Sequence, residues 1–176
     1  MTRSKILYTE TQRFSQWWLW IFLIGINALI LYAIIEENIA QQHLSNNLTN
    51  IVMQILVFLL VVSMSIFFLA NKLNTAIATD GIYVRFFPFH RKYKFFAWDD
   101  IQEAYTRKYK PIAEYGGWGL RHKKVNKDIA YNVSGNMGLQ LVLKNGKKIL
   151  IGTRKPELVQ EALEKVKKYQ EIGKSI

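Results

Sequence analysis

The sequence predicts a membrane α + β protein: a two-helix transmembrane hairpin, then a seven-stranded β-sandwich or partly open barrel capped by a C-terminal amphipathic helix. Three observations lead there. Two apolar runs, Trp17–Ile35 and Ile51–Ala70, lie in the first half of the 176-residue chain. From Lys72 onward the apolar period changes from helical to alternating, with tight-turn dipeptides between the alternating runs. The whole net charge of +11 falls in residues 71–176, because residues 1–70 carry three basic side chains (Arg3, Lys5, Arg13) and three acidic ones (Glu10, Glu36, Glu37). The predicted order is a cytoplasmic tail (1–16), a first span (17–35), an outer loop (36–50), a second span (51–70) and a cytoplasmic domain (71–176).

The first run is nineteen residues long, with Asn27 its only strongly polar member. At about 1.5 Å per residue it reaches roughly 28 Å, close to the ~30 Å hydrocarbon thickness of a bilayer. The second is twenty residues long, interrupted by Gln54, Ser63 and Ser65. Lipid cannot hydrate backbone amides, so both runs should be helical. A cleaved leader fits poorly: the first run exceeds an h-region, Glu10 precedes it, and no A-x-A site follows.

Orientation follows from basic residues. The segment 36–50 has no Lys or Arg, whereas Arg3, Lys5 and Arg13 precede the first span and Lys72 follows the second. The positive-inside rule therefore expects both termini in the cytoplasm, with the outer loop across a cell inner membrane. Trp17, Trp18 and Trp20 suit the inner interface and Tyr32 the outer one. Asn27 falls near the midplane, where an unpaired amide is costly. Ser63 is expected at similar depth, so the two should pack inside the hairpin or against another copy.

In residues 71–176, Asp80-Gly81 separates Leu73–Thr79 from Ile82–Phe87, and Asn145-Gly146 separates Gly138–Leu143 from Lys147–Ile151. Both dipeptides suit turn positions with φ > 0. Pro88–Arg91 reads as another turn leading into Lys92–Trp98, and Ile101–Tyr109 and Ile129–Val133 complete seven strands. Pro156 fits a first helical position, and Leu158, Val159, Ala162, Leu163, Val166 and Tyr169 form one apolar stripe after it.

These features resemble bacterial two-span membrane proteins that carry a pleckstrin-homology-like (PH-like) domain. Local text is similar too: Thr79-Asp80-Gly81-Ile82, Trp98-Asp99-Asp100-Ile101 and Gly152-Thr153-Arg154-Lys155-Pro156-Glu157-Leu158. The resemblance implies a PH-like fold more than any activity. Phosphoinositide-binding relatives in the wider superfamily use a long basic loop between their first two strands. With Asp80-Gly81 as that loop, the usual inositol-lipid site is not expected.

Chemistry is sparse. With no cysteine there is neither a disulfide framework nor a thiolate zinc site. His43, His90 and His122 are isolated from other ligand-type residues, so no metal or cofactor is expected, and His90 reads as a solvated turn residue. Asp99 and Asp100, adjacent at a strand entry, should point apart and give no catalytic pair. Asn47-Leu48-Thr49 and Asn132-Val133-Ser134 match a common glycosylation triplet and carry no assignment. Tyr115-Gly116-Gly117-Trp118-Gly119 lacks phosphate-loop spacing and reads as a bend with Trp118 as a cover.

The segment 107–127 is the binding candidate. It gathers Arg107, Lys108, Lys110, Trp118, Arg121, Lys123, Lys124 and Lys127, with Glu114 the one acidic residue within it. About three residues link Ala70 to the first expected strand, a reach of roughly 10 Å. That holds the domain within one or two Debye lengths of the anionic inner leaflet, where each Lys or Arg is worth about 1 kcal/mol. The expected function is a non-enzymatic, membrane-adjacent module for an unknown protein partner, a second copy or a lipid headgroup. Nucleic acid would compete poorly beside that leaflet. The alternatives are a membrane-bound, hydrolase-like enzyme or a structural subunit of a membrane complex.

Overall fold

The computed structural model describes residues 4–40, 48–123 and 128–174. The chain separates into two units, one of residues 15–70 and one of residues 1–14 together with 71–176.

The first unit is a helical hairpin, α1 (Trp17–Ala40) and α2 (Leu48–Ala70). Both are long and apolar enough to cross a membrane. No residue of α2 is buried, and twelve of its large apolar side chains, from Leu48 to Leu69, stand exposed. Holding each in water rather than in an apolar medium forgoes about 1.5–3 kcal/mol. Even half of that sum matches the 5–15 kcal/mol stability of a typical domain. A membrane would supply the missing apolar surroundings.

Asn27 Nδ2 donates to Leu23 O (2.6 Å) and across the hairpin to Ser65 Oγ (3.0 Å), and Ser65 Oγ donates to Val61 O (3.0 Å). The interhelical contact expected for Asn27 is present, but with Ser65 rather than Ser63. Two residues along a helix is a turn of about 200°, so only one of these serines can face α1. Ser63 instead donates to Leu60 O on its own helix (2.7 Å).

The second unit contains nine strands among the described residues, in two sheets. The first sheet runs β1 (Ile6–Arg13), β2 (Lys72–Ala78), β3 (Gly81–Phe87) and β4 (Lys94–Ala97), all antiparallel. The second has the order β5-β8-β9-β7-β6, formed by β5 (Ile101–Lys108), β6 (Gly119–His122), β7 (Ile129–Asn132), β8 (Met137–Leu143) and β9 (Lys148–Gly152). β7 lies parallel to β9; the other pairings are antiparallel. A one-turn helix, α3 (Pro111–Tyr115), precedes β6, and α4 (Pro156–Lys174) closes the order.

Alternation makes the core. On β3, Ile82, Val84 and Phe86 are buried while Tyr83, Arg85 and Phe87 are not, as period-two geometry requires. They share one cluster with Leu139 and Leu141 of β8 and with Val159, Leu163 and Val166 of α4. The predicted stripe of α4 is narrower than its sequence: Leu158 and Tyr169 remain exposed. Tyr169 instead receives Lys5 Nζ at its hydroxyl (3.2 Å).

Two turn residues are glycine for different reasons. Gly146 has φ 80°, as its Asn-Gly turn predicts. Gly81 does not have positive φ; a Cβ there would lie 2.3 Å from the Phe96 carbonyl oxygen, so glycine permits β3 and β4 to approach.

The main departure from expectation is β1. Residues 6–13 are not part of a separate tail, and the domain does not begin at 71: Ile6–Arg13 is an edge strand with Arg13 opposite Lys72 and Thr11 opposite Asn74. The connection between the first two strands is therefore not Asp80-Gly81 but the entire segment 14–71, helices included. Residues 14–16 link β1 to α1, and Asn71 alone links α2 to β2. Since β1 and β2 are partners in one sheet, the chain must return to the side it left. Both helices cross a bilayer, or neither does.

β1 is held by buried polar groups. Glu10 accepts hydrogen bonds from Tyr8 Oη (2.6 Å), Thr153 Oγ1 (2.7 Å) and the Arg154 backbone N–H (2.9 Å). Gln12 Nε2 donates to Gly152 O (2.6 Å), and Arg154 Nη2 to Arg13 O (2.8 Å). Burial, reinforced by Glu10, pushes the Tyr8 phenol well above its ordinary range. Its proton is held more tightly folded than unfolded, so this contribution is intact below about pH 10 and is lost as pH rises further. Glu10→Ala leaves three donors without an acceptor and should cost about 2–4 kcal/mol, read as a lowered midpoint in thermal or urea unfolding of the detergent-solubilised chain. An unchanged midpoint would contradict the anchoring role.

Candidate functional site

The basic segment divides between two ends of the second sheet. β5 ends beside the start of β8, with Lys108 opposite Met137, and this level continues through Gly138 and Gly152. Gly119 of β6 stands opposite Asn132 at the same end. His122, opposite Ile129, lies three residues further along, roughly 10 Å away.

At the first end, Arg107 is engaged within the fold. Its Nη2 meets Glu114 Oε2 at 2.8 Å, Nη1 donates to Oε1 (3.3 Å), and Nε donates to Gln140 Oε1 (3.0 Å). Arg107 holds the Glu114 carboxyl below its usual range, and Glu114 raises Arg107 in turn. Glu114 Oε1 also accepts from the Lys110 backbone N–H (2.8 Å). Pro111 opens α3, where its missing N–H is harmless, and Gly116 closes it at φ 71° with its N–H on Ile112 O. The expected glycine-aromatic bend is thus a helix cap. Trp118 Nε1 then donates to Gly135 O (3.0 Å), and Arg121 Nε folds back onto Trp118 O (3.1 Å).

These elements enclose an open groove of about 630 Å³ lined by Lys108, Tyr109, Lys110, α3 residues 111–114, Trp118 and Asn136. Ile112 is 70% exposed there. Tyr109 is buried with no hydrogen-bond partner at its hydroxyl among the described residues, and burial pushes its pKa up to about 12. Asn132, the last residue of β7 and the first of one glycosylation triplet, is wholly buried. Of the remaining predicted residues, Arg121 and Lys123 are exposed, while Lys124 and Lys127 lie outside the described residues, as do His43 and Asn47.

The other end holds a cluster that the sequence does not show. His90 is half-buried rather than solvated, its ring 5.9 Å from that of Tyr131, which is fully buried. Lys94 Nζ lies 5.9 Å from the same ring centroid. Burial, then the nearby Lys94 and His122, lower the His90 pKa; burial and Lys147 lower that of Lys94. Turns from both sheets therefore meet here with like charges. Among the described residues no group of three or more His, Cys, Asp or Glu could hold a metal ion. Asp99 and Asp100 are exposed in a single 3₁₀ turn.

Compared with protein-family models, curated proteins and solved structures, the chain matches none.

His90 gives a pH test. Its native state favours the neutral ring, so the associated stability is present above about pH 6.5 and is lost as pH falls through the lowered folded value. NMR titration of His90 should give a midpoint below 6.5 that rises in Lys94→Gln, where one like charge is gone. A midpoint above 6.5 in the parent chain would contradict the cluster.

Proposed function

We propose that this chain is a non-enzymatic protein of the cell inner (cytoplasmic) membrane, crossing it twice with both termini in the cytoplasm. Its β unit serves as a PH-like, membrane-adjacent module that binds a protein partner, with anionic headgroups of the inner leaflet as a second contact.

The groove beside α3 carries this reading. Its single lining carboxylate, Glu114, is already paired with Arg107, and its remaining lining combines Ile112, Pro111, Ala113 and Trp118 with the ammonium groups of Lys108 and Lys110. That chemistry offers apolar contact plus positive charge. It offers no free acid–base pair, which speaks for a docking surface over a hydrolytic site. A short apolar segment carrying an acidic side chain fits it best.

The element order supports the PH-like assignment: four antiparallel strands, a second sheet, and a terminal helix against the core. β6 and β7 are then an addition between β5 and β8, and the helical hairpin fills the connection between the first two strands. Sidedness rests on charge. In sequence, Arg3, Lys5 and Arg13 precede the first helix and Lys72 follows the second, and residues 36–50 have no Lys or Arg.

A photo-crosslinking residue at Ile112, in the full chain in native membranes, tests this. It should yield a discrete protein adduct several-fold above the same probe at Lys165 on the exposed face of α4, and Lys108→Glu with Lys110→Glu should reduce it. Equal adduct profiles at Ile112 and Lys165 would contradict a partner site in this groove.

A further inference from the structure

The turn between β3 and β4 combines features of a membrane-interface anchor. From Phe87 to Phe95, four large aromatics are substantially exposed: Phe87 (39%), Phe89 (56%), Tyr93 (47%) and Phe95 (48%). Arg91 and Lys92, between them, are exposed as well. Exposed rings on a soluble turn are unfavourable in water, whereas amphipathic rings and long cationic side chains side by side suit the headgroup layer. The turn is also firmly built. His90 N–H donates to Phe86 O (2.7 Å), the Phe86 and Phe89 rings sit 5.8 Å apart, and Arg85 stacks on Tyr93 at 4.7 Å.

Strand register says which end of the sheet this turn occupies. Phe87 stands opposite Lys72, and Lys72 opposite Arg13. Adjacent strands are about 4.8 Å apart, so Phe87 lies roughly 10 Å from Arg13. Arg13 and Lys72 are the residues at which the chain leaves for α1 and returns from α2, through three residues and one residue respectively. The aromatic turn therefore springs from the row of the sheet that chain connectivity ties to the ends of both helices. Lys94, His122 and Lys147 are the neighbours acting on His90 and Lys94, and the Asp128 carboxylate beside them is buried on the Lys148 backbone N–H (2.9 Å).

We propose that the Phe87–Tyr93 turn inserts into the headgroup region of an anionic bilayer, its rings entering the interface and Arg91 and Lys92 engaging phosphates. This rests on the membrane reading above and deepens it. The lipid-facing element is this turn, through its exposed rings and the Arg91 and Lys92 side chains.

The absence of cysteine from the native chain makes the test direct, since single-cysteine variants carry one label each. The full chain is reconstituted into vesicles with about one-third anionic lipid, bearing an environment-sensitive fluorophore at Phe89→Cys or Tyr93→Cys, with Lys165→Cys as reference. The expected result is a blue-shifted emission at both turn positions and at least three-fold stronger quenching by a lipid-borne quencher than at the reference. In an Arg91→Glu, Lys92→Glu background that ratio should fall toward one.

Quenching at Phe89 and Tyr93 equal to the reference would overturn the proposal. So would a blue shift that lipid-borne quencher does not touch, which would place the rings in protein. An impermeant thiol reagent applied to Asn50→Cys and Lys165→Cys separates this from failure of the membrane reading. Labelling of the two from opposite faces with unquenched turn positions sinks the insertion alone; labelling from one face sinks the two-span topology itself.

Discussion

The pairing of β1 with β2 is the constraint on which the rest of the structure depends. It joins residues sixty-three positions apart, as in the Thr11–Asn74 contact, across a connection that contains two apolar helices. Closing a flexible loop of about sixty residues costs on the order of 3–4 kcal/mol in chain entropy beyond a constant. A helical hairpin that forms first in lipid brings its own ends together, so the strands meet with much of that entropy already lost. Helix association and sheet formation thus favour each other. The same pairing ties topology to fold: a single crossing would place β1 and β2 on opposite sides of a membrane, and the sheet could not form.

The polar core near β1 follows from this constraint. An edge strand at the start of the chain is prone to fray unless something fastens it. Here Glu10 fastens it to the junction of β9 and α4, taking donors from three residues, and Gln12 and Arg154 add bonds to the same junction. Because Thr153 and Arg154 lead into α4, the helix, the edge strand and the second sheet share one set of interactions. Loss of β1 would open the core where Tyr8 enters it.

Much of this was legible in sequence, for reasons that also explain what was missed. The helices announced themselves by length and hydropathy, and β2, β3, β8 and β9 by alternation around Asp80-Gly81 and Asn145-Gly146. β1 alternates equally well, yet its buried positions are Tyr8, Glu10 and Gln12, while Ile6 points to the exterior. A hydrophobic pattern is silent when the buried side chains are polar and bond to partners over a hundred residues away, as Glu10 and Gln12 do. β6 and α3 are four and five residues long, too short for either period to register. The choice of Ser65 over Ser63 depends on the rotation of α2 about its axis, which two small polar residues in an apolar run do not specify.

The candidate site shows the same division. The basic character of residues 107–127 was readable, but its partition was not: Arg107 is absorbed by Glu114 through a local turn, and the rest separates between two ends of a sheet. The meeting of His90, Lys94, His122 and Lys147 arises from packing one sheet on another and has no linear signature. A module with an apolar groove beside α3 and a cationic, aromatic turn between β3 and β4 can meet a protein and a bilayer at once.

The most direct measurement is disulfide trapping of the strand pair. Thr11→Cys with Asn74→Cys, the only two thiols in the chain, places them on directly opposed residues whose side chains are 2.9 Å apart in the native pair, within the Cα separation a disulfide accepts. Mild oxidation in native membranes should close an intramolecular bond in nearly all molecules. Failure to form it, with both thiols open to alkylation under the same conditions, would contradict the β1–β2 pairing and the two-span topology argued from it.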